Sequence, residues 1–93
     1  MPATALDQTH FLGQTYPNPS NGTTVIDYFL PDYLAGSTID IFDISGKLIS
    51  TIKCSIGNAR VEIDVQNWPS GIYYYSLNHF GTKLDSKKFV VIE

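Results

Sequence analysis

The chain has 93 residues, enough for one domain, and 43% of them are hydrophobic, 13% aromatic and 16% charged. This is the composition of a globular domain and not of a disordered chain. The formal net charge of −3 argues against a nucleic-acid partner. No apolar run approaches the roughly 20 residues that cross a bilayer, so we expect no membrane insertion. The single cysteine, Cys54, excludes an internal disulfide and a cysteine-rich metal site.

Residues 1–15 are weakly patterned and are interpreted as the end of a linker or an added tail, with one short strand expected at Phe11 and Leu12. The first ten residues lack the basic and then apolar layout of a secretory signal. If the protein is exported, we expect its signal to lie upstream of this sequence. The folded domain is predicted to span residues 16–93.

From Tyr16 onward, turn signals separate β-rich runs about every 8–12 residues, the spacing of a β-sandwich or barrel. Alternation of apolar and polar residues predicts which side chains face the core. The expected core rows are Ile26, Tyr28 and Leu30; Ile39 and Ile41; Leu48, Ile52 and Cys54; Val61, Ile63 and Val65; and Tyr73, Tyr75 and Leu77. Tyr74 and Ser76 are expected to face outward.

Three turns are predicted between these runs. Residues 43–46, Asp-Ile-Ser-Gly, form a type I turn with Gly46 in the left-handed conformation of a bulged hairpin. Gly57-Asn58 is a second turn, and Phe80-Gly81 closes the hairpin before a last strand at residues 84–92. The end of that strand is apolar on both parities, so its faces stay unassigned. Six strong strands and a weaker seventh predict an all-β sandwich.

No residue pattern indicates catalysis. His10 lies in the weakly patterned N-terminal part and His79 on a hairpin tip, so neither is placed as the base that activates a nucleophile. Cys54 lies on the inward parity of its strand, as a buried core residue would. Asp43 is expected to cap its turn and Asp40 to be solvated, and the segment offers too few oxygens for calcium. We expect no enzyme, no metal and no cofactor.

Four aromatic residues lie in loops or on outward parity: Tyr33, Trp68, Tyr74 and Phe80. A coplanar exposed set would favour an alternative function, an accessory fibronectin-like or carbohydrate-binding module of a secreted hydrolase. Trp68 stands beside Pro69 at a predicted corner of the sandwich, which favours a lid over the core.

Five segments carry a family resemblance when taken together. They are YPNP at residues 16–19, TTVIDYFLP at 23–31, IFDISGK at 41–47, PSGIYYY at 69–75 and KKFVV at 87–91. In order and spacing the chain resembles the type A C-terminal sorting domain of the type IX (Por) secretion system of Bacteroidetes bacteria. The resemblance covers about residues 16–93. Ser20-Asn21-Gly22 stands where the family often has an aromatic residue and a second proline.

The resemblance implies an immunoglobulin-like sandwich of seven antiparallel strands and a non-catalytic sorting function. It implies three partners, namely the outer-membrane translocon, a signal peptidase and a covalently linked upstream passenger. The protein would pass through the periplasm to the cell surface or medium. The recognition residues it implies are Gly46, Lys47, Gly71, Tyr73, Lys87, Lys88, Phe89, Val90 and Val91. We expect the edge of the terminal strand to be accessible to the translocon.

Overall fold

The computed structural model describes residues 9–92 as two antiparallel sheets. The predicted linker residues 1–8 and the terminal Glu93 lie outside the described residues. Seven strands are described: β1 (Phe11–Leu12), β2 (Thr23–Leu30), β3 (Thr38–Phe42), β4 (Leu48–Lys53), β5 (Gly57–Asp64), β6 (Gly71–His79) and β7 (Thr82–Val91). The smaller sheet has the order β1-β2-β5 and the larger one β4-β3-β6-β7. The predicted all-β, immunoglobulin-like sandwich is confirmed.

The core lies between the two sheets, where alternate residues of each strand point inward. In β2 the buried residues are Thr24, Ile26, Tyr28 and Leu30, and the residues between them are half-buried or exposed. Their counterparts in the larger sheet include Ile39, Ile41, Tyr75 and Phe89, each 0% exposed. Period-two alternation therefore sets both the register and the thin apolar layer of the sandwich.

The predicted inward position of Leu48 is wrong. A register shift between Ile41 and Phe42 sets Leu48 opposite Phe42 on the outer face, and Leu48 is 51% exposed. Such an irregularity inserts an extra residue and reverses the parity of everything beyond it. Ile52 and Cys54, on the near side of the shift, pack against the core as expected.

The predicted turn at Gly57-Asn58 is also wrong, because these residues open strand β5 and pair with Leu30 and Phe29. The chain instead crosses between the sheets through residues 54–56. The alternation of apolar and polar residues begins only at Val61. The sequence therefore predicts a later start for this strand than the backbone pairing shows.

The short strand predicted at Phe11 and Leu12 is confirmed as β1, which pairs with Phe29 and Tyr28 of β2. Leu12 is only 2% exposed. The hydroxyl of the fully buried Tyr75 donates to the carbonyl oxygen of Gly13 at 2.6 Å. This hydrogen bond links the beginning of the described chain to the centre of the larger sheet.

Candidate recognition surface

The recognition residues implied by the sequence meet at one end of the larger sheet. There β3 ends at Phe42, β4 begins at Leu48, β6 begins at Gly71 and β7 ends at Val91, and these strands are hydrogen-bonded neighbours. We call this region the motif end. Antiparallel pairing brings it together from segments that are far apart in the sequence, since Gly71 lies opposite Val91 and Phe42 opposite Tyr74.

The β3–β4 hairpin at the motif end is built around Asp43. Its Oδ1 accepts hydrogen bonds from the Ser45 backbone N–H at 2.9 Å, the Ser45 hydroxyl at 2.6 Å and the Lys47 N–H at 3.0 Å. These donors, led by the Ser45 hydroxyl, lower the pKa of Asp43. The Gly46 N–H donates to the Asp43 carbonyl at 3.0 Å, and Gly46 has a φ of 88°. The predicted turn, its cap and its left-handed glycine are therefore confirmed.

The two glycines of this region are exposed to solvent, whereas the aromatic residue beside them, Tyr73, is buried. Gly46 and Gly71 are both exposed, and a Cβ added to either would meet nothing within 4 Å. Tyr73 is 4% exposed, and its hydroxyl donates to the Pro69 carbonyl at 2.6 Å. Burial raises the pKa of Tyr73. The structure thus places the glycines on the surface and Tyr73 in the core.

Strand β7 resolves the faces that the sequence left open. Phe89 is 0% and Val91 2% exposed, so both face the core, whereas Lys88 is exposed and Val90 half-buried on the other face. Lys87 lies opposite the buried Tyr75 and is half-buried. A lysine on the inner side of an outer strand disfavours pairing with foreign strands.

The expectation of an accessible edge on β7 is wrong. Residues 14–20, which we call the strap, run beside it. The Ser20 N–H donates to the Val90 carbonyl at 2.7 Å, and the Ile92 N–H donates to the Ser20 carbonyl at 2.9 Å. The Asn18 Oδ1 accepts from the Val90 N–H at 3.0 Å, and the Gln14 Nε2 donates to the Lys88 carbonyl at 2.7 Å. The strap therefore hydrogen-bonds the outward backbone groups at the C-terminal end of this strand. The alternation of side chains does not predict this contact.

The outer face of the motif end carries exposed apolar side chains. Ile44 is 66%, Leu48 51%, Tyr74 41% and Ile72 38% exposed, and Lys47 and Lys88 beside them are also exposed. Clustered exposed hydrophobic residues are typical of protein-binding surfaces. A cavity of about 250 Å³ between Ile44, Ile49 and Ile72 adjoins Gly71. Sequence reasoning missed Ile44, Leu48, Ile49 and Ile72. Two features of the sequence could have indicated this apolar surface. Ile44 is an apolar residue in a predicted turn, and Ile72 lies on the outward-facing parity of its strand.

The exposed aromatic residues do not form one platform. Trp68 is half-buried against Tyr73, with ring centroids 5.1 Å apart, and against Phe89 at 6.4 Å. It is the predicted lid over the core. Tyr74 is the fourth residue of β6 and Phe80 follows its last residue, so the two are six residues and roughly 20 Å apart along the extended chain.

Two polar predictions for the outer face need correction. Ser76 lies opposite Asp40 on the outward side as predicted, yet it is 4% exposed, and its hydroxyl oxygen accepts from the Asn78 Nδ2 at 2.9 Å. Asp40 is not simply solvated. Its Oδ2 accepts from the Asn78 Nδ2 at 2.7 Å, and its Oδ1 is shielded from solvent without a hydrogen-bond partner.

Within residues 9–92 no group of three or more histidine, cysteine, aspartate or glutamate side chains is placed to hold a metal ion. The same residues include no helix with the length and hydrophobicity to cross a membrane.

The fold and this surface define an immunoglobulin-like β-sandwich domain in which three sequence motifs, residues 41–47, 69–75 and 87–91, meet at one exposed end. A family model described as a secretion system C-terminal sorting domain matches residues 14–93. The chain therefore belongs to this family and is a C-terminal sorting signal for type IX secretion, leading to the cell surface or medium. The sorting domain itself is non-catalytic. Neither a curated protein nor a solved structure matches the chain.

Proposed function

We propose that the outer-membrane translocon of the type IX system binds this domain in its folded form, in the periplasm, through the motif end. The domain is covalently linked to an upstream passenger, and a signal peptidase of the system separates the two after export. Residues 16–93 carry the signal, with β1 as a structural support.

The observation that carries this proposal is that three of the five family segments, residues 41–47, 69–75 and 87–91, meet at one exposed end of the larger sheet. Residues 16–19 lie beside them in the strap, whereas residues 23–31 form β2 of the smaller sheet. Core packing explains Tyr73, Phe89 and Val91, which are buried. It does not explain why Gly46, Lys47 and Lys88 are exposed at the same end. A receptor that reads a folded surface needs such exposed positions.

The residues divide into two roles. Tyr73, Phe89 and Val91 hold the two strands of the motif end in place from beneath. Gly46, Lys47, Gly71, Lys88 and Val90 lie where a partner can touch them, and Lys87 lies at the margin between the faces. Glycines leave the backbone open to close approach, and the lysine ammonium groups attract acidic groups of the partner.

Export of a fluorescent passenger tests the proposal. Residues 1–93 are fused behind a Sec signal and the passenger, in a Bacteroidetes strain with a working type IX system. The intact fusion is expected at the cell surface or in the medium. A fusion lacking residues 87–93 is expected in the periplasm. Because this deletion also removes the buried Phe89 and Val91, it does not separate recognition from folding.

The double variant Lys87→Ala/Lys88→Ala separates recognition by the translocon from folding of the domain. Exposed charges contribute at most about 1 kcal/mol to stability, and Lys88 is exposed whereas Lys87 is half-buried. Export of the double variant is expected to fall by more than its stability does, and urea unfolding of the purified variant measures the stability. Lys83→Ala, an exposed lysine near the other end of β7, is the matched control and is expected to export normally. Equal secretion of the intact and truncated fusions, or secretion by a strain without the translocon, would overturn the proposal.

A further inference from the structure

The two outer strands of the larger sheet, β4 and β7, differ in how far their outward backbone groups are hydrogen-bonded. The strap hydrogen-bonds Lys88 and Val90 at the C-terminal end of β7 and Ile92 beyond it, and the Asp85 Oδ1 accepts from the Ser86 N–H at 2.8 Å. At the other side of the sheet, β4 pairs with β3 alone. No described residue hydrogen-bonds the outward backbone groups of β4.

The pairing of β4 with β3 shows which backbone groups point outward. The Cys54 N–H donates to the Ser37 carbonyl at 3.0 Å, so Ser37 and Cys54 form a hydrogen-bonded pair. Hydrogen-bonded and non-hydrogen-bonded pairs alternate along antiparallel strands. The N–H and C=O groups of Thr51 and Lys53 therefore point away from β3, into the space where a further strand would lie.

The side chains of this edge itself are cationic and apolar, although Asp40 lies opposite Thr51 on β3 and Asp43 lies in the adjoining hairpin. Lys47 and Lys53 flank the strand, both are exposed, and neither forms a salt bridge with another described residue. Residues 47–53 contain no acidic side chain, although the whole chain carries a net charge of −3. Leu48 and Ile49 are 51% and 39% exposed at the end of the strand that joins the motif end.

We propose that the open edge of β4 receives an extended strand of the translocon, which carries acidic side chains beside apolar ones. Main-chain hydrogen bonds to Thr51 and Lys53 supply the affinity of such strand addition, and the side chains beside them supply its selectivity. Acidic groups of the incoming strand pair with Lys47 and Lys53, and apolar groups cover Leu48 and Ile49. This inference rests on the proposed function, because the edge is continuous with the motif end.

A second copy of the chain fits this edge poorly. A two-fold antiparallel pairing that overlaps residues 47–53 of both copies would set Lys47 of each against Lys53 of the other. Like charges directly opposite one another destabilise a strand pair. Lysines on an outer strand are also a common means of preventing association between identical sheets. This register of self-pairing is therefore disfavoured, whereas an acidic strand is attracted to the same lysines.

Thr51→Pro tests the proposal with little effect on the fold. Proline removes the Thr51 N–H, which has no partner in the domain, and proline is tolerated on outer strands where that N–H faces solvent. Export of the fluorescent fusion is expected to fall about tenfold, the change that corresponds to one or two lost main-chain hydrogen bonds. Thr51→Ala keeps the N–H and is expected to export normally.

Glu62→Pro is the matched control on the outer strand of the smaller sheet. The Val65 N–H donates to the Gly22 carbonyl at 2.6 Å, so by the same alternation the N–H of the exposed Glu62 points outward. This variant is expected to export like wild type. Circular dichroism and urea unfolding of all three purified domains establish that they fold.

A photo-crosslinking residue at position 51 is expected to capture an outer-membrane component of the translocon, whereas one at position 62 captures none. Normal export of a folded Thr51→Pro fusion would sink the inference while leaving the sorting function intact. Export of no fusion, wild type included, would sink the proposed function itself. A dimer of the wild-type domain that Thr51→Pro dissociates, seen by analytical ultracentrifugation, would assign the edge to a second copy and overturn the translocon as its occupant.

Discussion

At the scale of single residues, backbone conformation and buried hydroxyl groups explain several positions that hydrophobicity does not. Gly46 is required by the geometry of its turn, since its φ of 88° is one that a Cβ disfavours. Tyr75 contributes in two ways, since its ring is fully buried and its hydroxyl donates to the Gly13 carbonyl oxygen. At each position, a substitution separates the contribution of backbone conformation or hydrogen bonding to stability from that of side-chain size.

Gly46→Ala is expected to lower the free energy of unfolding by about 1 kcal/mol, because alanine is strained at a positive φ. Steric contact does not contribute, since a Cβ at this position meets nothing within 4 Å. Gly46→Asn is the control and should cost less, because asparagine tolerates the left-handed conformation. Urea unfolding measures both. Equal stability of the wild type and the alanine variant would show that the turn is not held in this conformation.

Stability is expected to fall at high pH because of Tyr75. Burial raises the pKa of Tyr75 from 10.0 to about 12. The unfolded chain loses this proton near pH 10 while the folded chain keeps it, so rising pH favours unfolding across the interval from 10 to about 12. Tyr75→Phe has no such proton and should lose the steepest part of this decline. At neutral pH it should cost about 1–2 kcal/mol, since the Gly13 carbonyl loses its donor. Urea unfolding at several pH values measures this, and an equally steep decline in the variant would contradict the assignment.

At the scale of elements, the smallest strand has a large effect on the fold. β1 has two residues, yet it contributes the buried Leu12 and leads directly to Gly13 and the strap. The predicted domain boundary at residue 16 leaves out the strand but keeps most of the strap.

A chain that begins at residue 16 is therefore expected to be less stable than one that begins at residue 9. Loss of a buried leucine typically costs about 2–5 kcal/mol, and the Gly13 carbonyl is lost with it. Leu12→Ala in the longer chain is the matched control and should reproduce most of the loss. Urea unfolding compares the three proteins. Equal stability of the two chain lengths would show that β1 adds nothing to the fold.

The sequence predicts most of the strands and only part of their pairing. Alternation places Ile26, Ile39 and Tyr75 correctly, because one face of each strand must be buried. It fails at Leu48, where the irregularity beside Phe42 changes the parity without leaving a mark in the residue types. It also fails for the strap, since backbone and amide hydrogen bonds of Gln14, Asn18 and Ser20 leave no hydrophobic pattern. The family segments can be recognised in the sequence, but the meeting of residues 41–47, 69–75 and 87–91 at one end depends on strand order.

At the scale of the whole molecule, charge is unevenly distributed over an acidic domain. The net charge is −3, yet Lys47, Lys53 and Lys88 are exposed along the larger sheet. The smaller sheet carries the one salt bridge found among residues 9–92, Arg60 to Asp27 at 3.0 Å, and Tyr16 donates to the same carboxylate at 2.8 Å. The overall charge favours solubility, while the cationic positions are concentrated where partner binding is proposed.

The strap also has a mechanical consequence. Ser20 and Val91 are paired in parallel, so the chain enters along β7 in the same direction in which β7 leaves. Tension that pulls Ser20 towards the N-terminus and Val91 towards the C-terminus would slide one segment along the other and not peel them apart. Sliding strains the hydrogen bonds at Ser20 and Asn18 together, and bonds strained together resist more force than bonds broken one at a time. Tension that reaches this pair is therefore opposed by several hydrogen bonds at once.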